Sequence, residues 1–148
     1  MNPKRLILAI IAVFAGVFAT DFLIHHVWLM GDYKASASLW RPENEMGGHI
    51  GWLFGGELLA AVAFVMIYAK GFADKACPLC AVMFGLFMAL FSQANTLISY
   101  AVQPLPGNLA AKWVVAAVAQ GILIGLIVFF VYKPKPCDEK SDCCNEKK

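Results

Sequence analysis

Charged residues are scarce in this chain of 148 residues: they make up 15% of it, whereas 60% of its residues are hydrophobic. A soluble domain carries about 25% charged and about 45–50% apolar residues. So little charge cannot cover the surface of a water-soluble fold, and the composition therefore excludes an ordinary soluble enzyme, a nucleic-acid-binding domain and a disordered protein. It indicates an integral membrane protein with a small number of spans.

The few charges divide the chain into four long apolar segments. An α-helix needs about 20 apolar residues to cross the hydrocarbon core. The segments predict membrane spans at about residues 6–30, 50–69, 79–102 and 111–132. Short turns between spans favour antiparallel neighbours. We therefore predict an all-α fold, a four-transmembrane-helix antiparallel bundle that occupies residues 1–133.

Basic residues predict the orientation of this bundle. Cytoplasmic segments of membrane proteins are enriched in Lys and Arg. Both termini are therefore predicted to lie in the cytoplasm of a multi-pass protein of the cell inner (plasma) membrane, with the segment 31–49 facing outward. Nine of the twelve basic residues lie on the predicted cytoplasmic side: Lys4, Arg5, Lys70, Lys75, Lys133, Lys135, Lys140, Lys147 and Lys148.

Aromatic residues fall near the predicted ends of the spans. Trp28, Trp52 and Trp113 lie near outer ends, and Tyr68 and Tyr132 lie near inner ends. Aromatic side chains are enriched at both interfaces of a bilayer. The pattern predicts an aromatic belt on each side of the membrane.

Two further features predict contacts at the start of span two. Gly47, Gly51 and Gly55 repeat every four residues, and such a stripe favours the close approach of another helix. Trp40 lies in the outward segment 31–49, which we interpret as an amphipathic stretch on the bilayer surface with the indole at headgroup level. The alternative is that this segment covers the polar residues below it.

Each predicted span carries polar residues at a similar depth. At 1.5 Å per residue, Asp21 lies about 13 Å from the outer end of span one, and Glu57 lies about 10 Å into span two. Ionisable residues inside a membrane are costly and mark a functional site by default. Asp21 and His25 also share a helix face, because they are four residues apart. The predicted intramembrane polar site consists of Asp21, His25, Glu57, Gln93, Asn95 and Gln120.

This polar layer has more than one interpretation. It could be a hydrogen-bond network that only fixes the register of the helices, as polar contacts between membrane helices often do. It could hold a proton or a cation, including a divalent metal coordinated by carboxylate and histidine. Two histidines from different helices could also ligate haem, which we rank below the divalent metal.

Five cysteines occur, all on the predicted cytoplasmic side. Cys77 and Cys80 form a Cys-Pro-Leu-Cys motif at the start of span three. The others lie in or beside the cytoplasmic tail 134–148, which is predicted to be Cys-rich and disordered. A Cys-x-x-Cys motif at a helix start suits thiol redox exchange or a soft metal. The alternative, which we rank higher, is that these cysteines have no chemical role. The hypothetical metal ligands of the chain are His25, His49, Cys77, Cys80, Cys143 and Cys144.

Several short motifs in the first half of the chain form a recognisable pattern: Asp21-Phe22-Leu23-Ile24-His25, Asp32-Tyr33, Leu39-Trp40-Arg41-Pro42 and Glu45-Met46. On these residues the chain resembles a family of small bacterial four-span integral membrane proteins that has no assigned activity. The resemblance covers the first half of the chain and extends more loosely through Pro104-Leu105-Pro106. It implies the four-span architecture and a bacterial source.

Three functions are consistent with these features. The first is a small membrane protein that binds or transports a cation or metal through its outward-facing polar layer. The second is a non-catalytic structural subunit of a membrane complex or a homo-oligomer. The third is a membrane thiol or haem redox protein. The pattern shows no nucleophile–base pair and no phosphate-binding loop, so an enzyme is not favoured. The lipid bilayer is the predicted partner, and nucleic acid is not.

Overall fold

The computed structural model describes residues 3–72 and 77–132. Every regular element in these two ranges is helical, and four helices are long and apolar enough to cross a membrane. The predicted fold class, an all-α helical bundle, is therefore confirmed. The prediction of a disordered tail at 134–148 lies outside the described residues.

Four long helices are joined by shorter helical pieces. Helix α1 is continued by a seven-residue π-helix, and two short helices, α2 and α3, follow before the second long helix, α4. Single 3₁₀ turns at Ala37–Leu39 and Gly47–His49 complete this connection. The bounds are α1 Pro3–Asp21, the π-helix Phe22–Trp28, α2 Met30–Ala35, α3 Glu43–Met46, α4 Ile50–Gly71, α5 Pro78–Val102 and α6 Gly107–Tyr132.

Helix α1 packs between α4 and α6, and α5 packs on the other side of α6. Phe18 of α1 stacks on Phe54 near the start of α4, with the ring centroids 5.4 Å apart. Thr20, near the end of α1, is hydrogen-bonded to Gln120 in the middle of α6. The long helices therefore run antiparallel to their neighbours in the order α4, α1, α6, α5.

Helices α5 and α6 approach each other through small residues. A Cβ atom on Gly121 would lie 2.6 Å from the carbonyl oxygen of Gly85 and 2.7 Å from Cβ of Ala89. A Cβ atom on Gly85 or Gly125 would collide with the backbone of the facing helix. Without a hydrophobic driving force between helices in lipid, such close backbone packing is a main source of association. The contact holds α5 against α6.

The predicted close-packing stripe on α4 is wrong. Within the described residues, no atom of a neighbouring element lies within 4 Å of a Cβ built on Gly47, Gly51 or Gly55. The buried side chains of α4 are Ala61, Val65 and Tyr68, which all lie in its second half, whereas the glycines lie at or just before its start. Regular spacing of small residues marks a possible contact surface, but it does not identify the part of the helix that is covered.

Aromatic side chains fill the end of the bundle that is remote from α2 and α3. Tyr68 is only 1% exposed, and its ring lies 5.5 Å from that of Phe84 and 6.4 Å from that of Tyr132. Tyr132 is buried as well. Both tyrosines lie at the ends of their helices, as predicted, but they are core residues between α4, α5 and α6. Trp28 and Trp52, by contrast, are exposed.

Substitution at Gly85 tests the close contact between α5 and α6. Gly85→Ala is expected to destabilise the protein by about 1–3 kcal/mol, because overpacking forces backbone and side chains to shift. Gly55→Ala is the matched control, since its Cβ meets open space and alanine favours a helix over glycine. Thermal unfolding in detergent measures both. Equal stability of the two variants would contradict the close packing.

Candidate functional site

The π-helix changes the course of α1 at the polar layer. Its last turn is closed by the backbone N–H of Leu29, which donates to the carbonyl of Ile24 at 2.9 Å, five residues earlier. π-Helical turns are rare and are frequent at functional sites. Within the turn His25 is half-buried, whereas His26 is exposed and stacks on Phe22. Only one of the two neighbouring histidines therefore belongs to the interior of the bundle.

A hydrogen-bonded group joins α1 to α6 just before the π-helix. The amide nitrogen of Gln120 donates to Asp21 Oδ1 and to Thr20 Oγ1, both at 2.7 Å. The Thr20 hydroxyl in turn donates to the carbonyl of Gly16 at 2.8 Å. Both hydrogens of the Gln120 amide are thus used, and Asp21 retains further acceptor capacity.

Polar residues of three helices surround one cavity of about 290 Å³, which we call the polar cavity. It brings together four of the six residues predicted for the intramembrane site: Asp21, His25, Gln93 and Gln120. Apolar side chains and an indole complete its wall. The lining residues are Asp21, Ile24, His25, Gln93, Thr96, Trp113, Ala116, Ala117 and Gln120.

The other two predicted residues lie elsewhere. Asn95 is exposed on α5 and does not line the polar cavity, where its neighbour Thr96 lies instead. Glu57 does not line it either, but its carboxylate is near enough to Asp21 for the two charges to interact. Depth alone could not distinguish Asn95 from Thr96, because one residue turns a helix by about 100°.

Two buried oxygen atoms near this level have no hydrogen-bond partner within the described residues. They are Oε2 of Glu57 and Oε1 of Gln93. A buried acceptor left unsatisfied costs about 1–3 kcal/mol, so each requires an explanation. Gln93 Oε1 belongs to a residue that lines the polar cavity, where a bound donor would satisfy it.

An aromatic cluster adjoins the polar cavity. The Tyr33 hydroxyl accepts a hydrogen bond from Trp113 Nε1 at 2.9 Å and lies 2.6 Å from His25 Nδ1. Burial raises the pKa of Tyr33, and the charges of Asp21 and Asp32 act in the same direction against the bond from Trp113. The phenol therefore stays protonated at neutral pH, and the tautomer of His25 decides which of the two groups donates in the bond between them.

Trp40 packs against this cluster. It belongs to the connecting segment, residues 29–49, which joins the π-helix to α4. Its ring meets Tyr33 edge-on with the centroids 5.3 Å apart, and it lies 6.0 Å from Trp113. Its Nε1 donates to Ser36 Oγ at 3.0 Å. Trp40 thus packs on the aromatic cluster beside the polar cavity. The bilayer level of its indole, and the alternative that its segment covers the polar residues, stay predictions.

An ion pair fixes α2 to the start of α6. Lys112 Nζ lies 2.7 Å from Asp32 Oδ2, and Asn108 Nδ2 donates to Asp32 Oδ1 at 3.3 Å. Sequence reasoning assigned Asp32, Lys112 and Tyr33 no site role, because their contacts cross about 80 residues of chain. The resemblance was the available signal, since Asp21, His25, Asp32, Tyr33 and Trp40 all belong to it.

The described residues do not assemble the predicted metal ligands. No three His, Cys, Asp or Glu side chains within 3–72 and 77–132 form a metal-binding group. His49 is exposed, and its Nδ1 donates to the carbonyl of Glu45 at 3.1 Å. Cys77 and Cys80 are half-buried where α5 begins. The ligands proposed in the tail, Cys143 and Cys144, lie outside the described residues.

Comparison with protein-family models, with curated proteins and with solved structures found no match to this chain. The geometry of the polar cavity and of the cluster beside it is therefore the basis for assigning a function.

Removing the Tyr33 hydroxyl tests the cluster. Tyr33→Phe leaves His25 Nδ1 and Trp113 Nε1 without their partner, and we expect a loss of about 1–3 kcal/mol in unfolding free energy. Tyr100→Phe is the matched control, because Tyr100 is exposed on α5. Thermal unfolding in detergent compares the two. If Tyr33→Phe were as stable as Tyr100→Phe, the cluster would contribute nothing.

Proposed function

We propose that this protein binds a small monovalent cation, of the protonated-amine class, in the polar cavity. The observation that carries the proposal is the imbalance between acceptors and donors around that cavity. Asp21 is a carboxylate with spare acceptor sites, and Gln93 Oε1 is buried without a donor from the part of the chain that the structure describes. The two amide hydrogens of Gln120 are both engaged. A ligand that fits must therefore donate hydrogen bonds, and a positive charge would complement Asp21.

The chemistry of the wall favours an organic cation over a metal ion. Only Asp21 and His25 among the lining residues are of the His, Cys, Asp or Glu type, which is too few for a metal site of ordinary coordination. Trp113 supplies an aromatic ring, which attracts alkylammonium groups through its quadrupole. The volume of about 290 Å³ exceeds the roughly 30 Å³ share of one water molecule several times.

The apolar cavity next to the polar cavity favours binding over transport. A second cavity of about 370 Å³ shares Gln93 and Gln120 with the polar cavity, and its other walls are mainly aliphatic or aromatic. Val13, Phe64 and Ile124 are among the residues that line it. A cation that passed the two glutamines would lose its polar partners, at a large desolvation cost. The arrangement suits a ligand that enters and leaves on one side.

We further propose that the polar cavity belongs to the outward half of a protein of the bacterial cell membrane, with both termini in the cytoplasm. Support comes from Lys4, Arg5 and Lys70, which lie at the ends of α1 and α4 remote from α2 and α3. An excess of basic residues marks the cytoplasmic side.

Ligand-induced stabilisation tests the proposed binding. At constant ionic strength, methylammonium chloride is expected to raise the thermal unfolding temperature saturably, and a ligand at 100 times its Kd contributes about 2.7 kcal/mol. Asp21→Asn should abolish this increase, because it removes the charge while keeping an acceptor for Gln120. Glu45→Gln, at an exposed carboxylate outside the cavity, should retain it.

Potassium chloride at the same ionic strength distinguishes the ligand class. Equal stabilisation by potassium would assign the cavity to alkali metal ions instead of amines. No stabilisation of the parent protein by either cation would contradict the proposal and favour the competing interpretation, a structural subunit whose polar layer only fixes helix register.

A further inference from the structure

A second concave surface lies on the other side of His25 from the polar cavity. It has a volume of about 580 Å³ and is formed by the π-helix, the connecting segment and the start of α4; we call it the interfacial groove. Its lining differs from that of the polar cavity, because it combines cationic side chains with large apolar ones. The residues that carry the argument are Met30, Lys34, Trp40, Arg41, Met46 and Leu53.

The charged side chains described in this lining are both cations. Lys34 and Arg41 are exposed, and neither forms an ion pair with a carboxylate among the described side chains. Asp32, the acidic residue nearest to Lys34 in sequence, is paired with Lys112. The described charged side chains of the lining therefore offer two cations to an anion, and arginine offers donors in a fork that matches a phosphate.

The rest of the groove is apolar and continues onto a lipid-facing helix. Met30, Met46 and Leu53 are all more than one-third exposed. Leu53 belongs to α4, whose neighbouring Trp52 is 82% exposed. Because α4 is long and apolar enough to cross a membrane, the groove lies where the acyl region of a bilayer meets its headgroups. Tryptophan is enriched at this level.

We propose that the interfacial groove binds one anionic phospholipid of the surrounding membrane. The phosphate lies between Lys34 and Arg41, and the first part of an acyl chain lies along Met30, Met46 and Leu53. A free anion would gain nothing from the apolar floor, and a zwitterionic lipid would gain less from two cations. The proposal is independent of cation binding in the polar cavity, because it uses different charged groups.

Native mass spectrometry of the full chain tests the proposal. The protein is released from detergent after equilibration with equal amounts of phosphatidylglycerol and phosphatidylcholine that carry the same acyl chains. At about 1 kcal/mol for each cation near a lipid phosphate, we expect a preference for phosphatidylglycerol of about 25-fold. Lys34→Gln and Arg41→Gln should each lower it about fivefold.

Lys70→Gln is the matched control for each single substitution. Lys70 is an exposed cation on α4, about 25 Å from Leu53 at 1.5 Å per residue. It should leave the preference unchanged. An equal reduction by Lys70→Gln would show that only overall charge matters and would overturn the proposal, as would equal retention of the two lipids by the parent protein.

Leu53→Trp separates the lipid from a free phosphate. It narrows the apolar floor and keeps both cations, so retention of phosphatidylglycerol should fall several-fold. Glycerol 3-phosphate, the headgroup anion without acyl chains, should not be retained by the parent protein. Retention of glycerol 3-phosphate as strongly as phosphatidylglycerol would assign the groove to small anions and overturn the lipid proposal.

Discussion

The bond between Gln120 and Asp21 joins the two helices on which the polar cavity depends. A carboxylate inside an apolar bundle requires hydrogen-bond donors, since water is scarce there and an unpaired charge is very costly. The Gln120 amide supplies one donor to Asp21 and a second to Thr20. It thereby fixes the last turn of α1 against the middle of α6. The remaining polar groups of the cavity are arranged around this contact.

Close packing of glycine and alanine between α5 and α6 complements that polar contact. Because Gly85 and Gly121 allow the two backbones to approach, Gln93 of α5 reaches the same cavity as Gln120 of α6. The aromatic rings of Tyr68 and Phe84 separate α4 from α5 at the opposite end. The contact between α5 and α6 is thus made by small residues, and the contact between α4 and α5 by large aromatic ones.

The sequence was sufficient for the helices, because four apolar segments of membrane-spanning length admit few other folds. Helical rise also gave the depth of Asp21, Gln93 and Gln120, and these three residues do line one cavity. The sequence did not show which side of each helix faces the interior of the bundle. For that reason Asn95 was preferred to Thr96, and Tyr68 was assigned to an interface instead of the core.

The hydrogen-bond partners of Tyr33 could not be predicted from the sequence, for a different reason. Its bonds to His25 and Trp113 depend on how the segment after the π-helix folds back over the bundle. No local pattern in the sequence encodes that return. The resemblance included Asp32-Tyr33, but it implied no site role for them and no geometry.

The π-helix sets the angular relation between the two parts of the site. A π-helical turn contains one more residue than an α-helical turn. The residues after it are therefore rotated about the helix axis by about 100° relative to their positions in a continuous α-helix. Asp21 precedes the π-helix, whereas Tyr33 and Trp40 follow it. A regular helix through Phe22–Trp28 would keep Asp21 against Gln120 but swing the connecting segment to another side of the bundle. The irregular turn therefore sets the angle between Asp21 in the polar cavity and the aromatic cluster that adjoins the cavity.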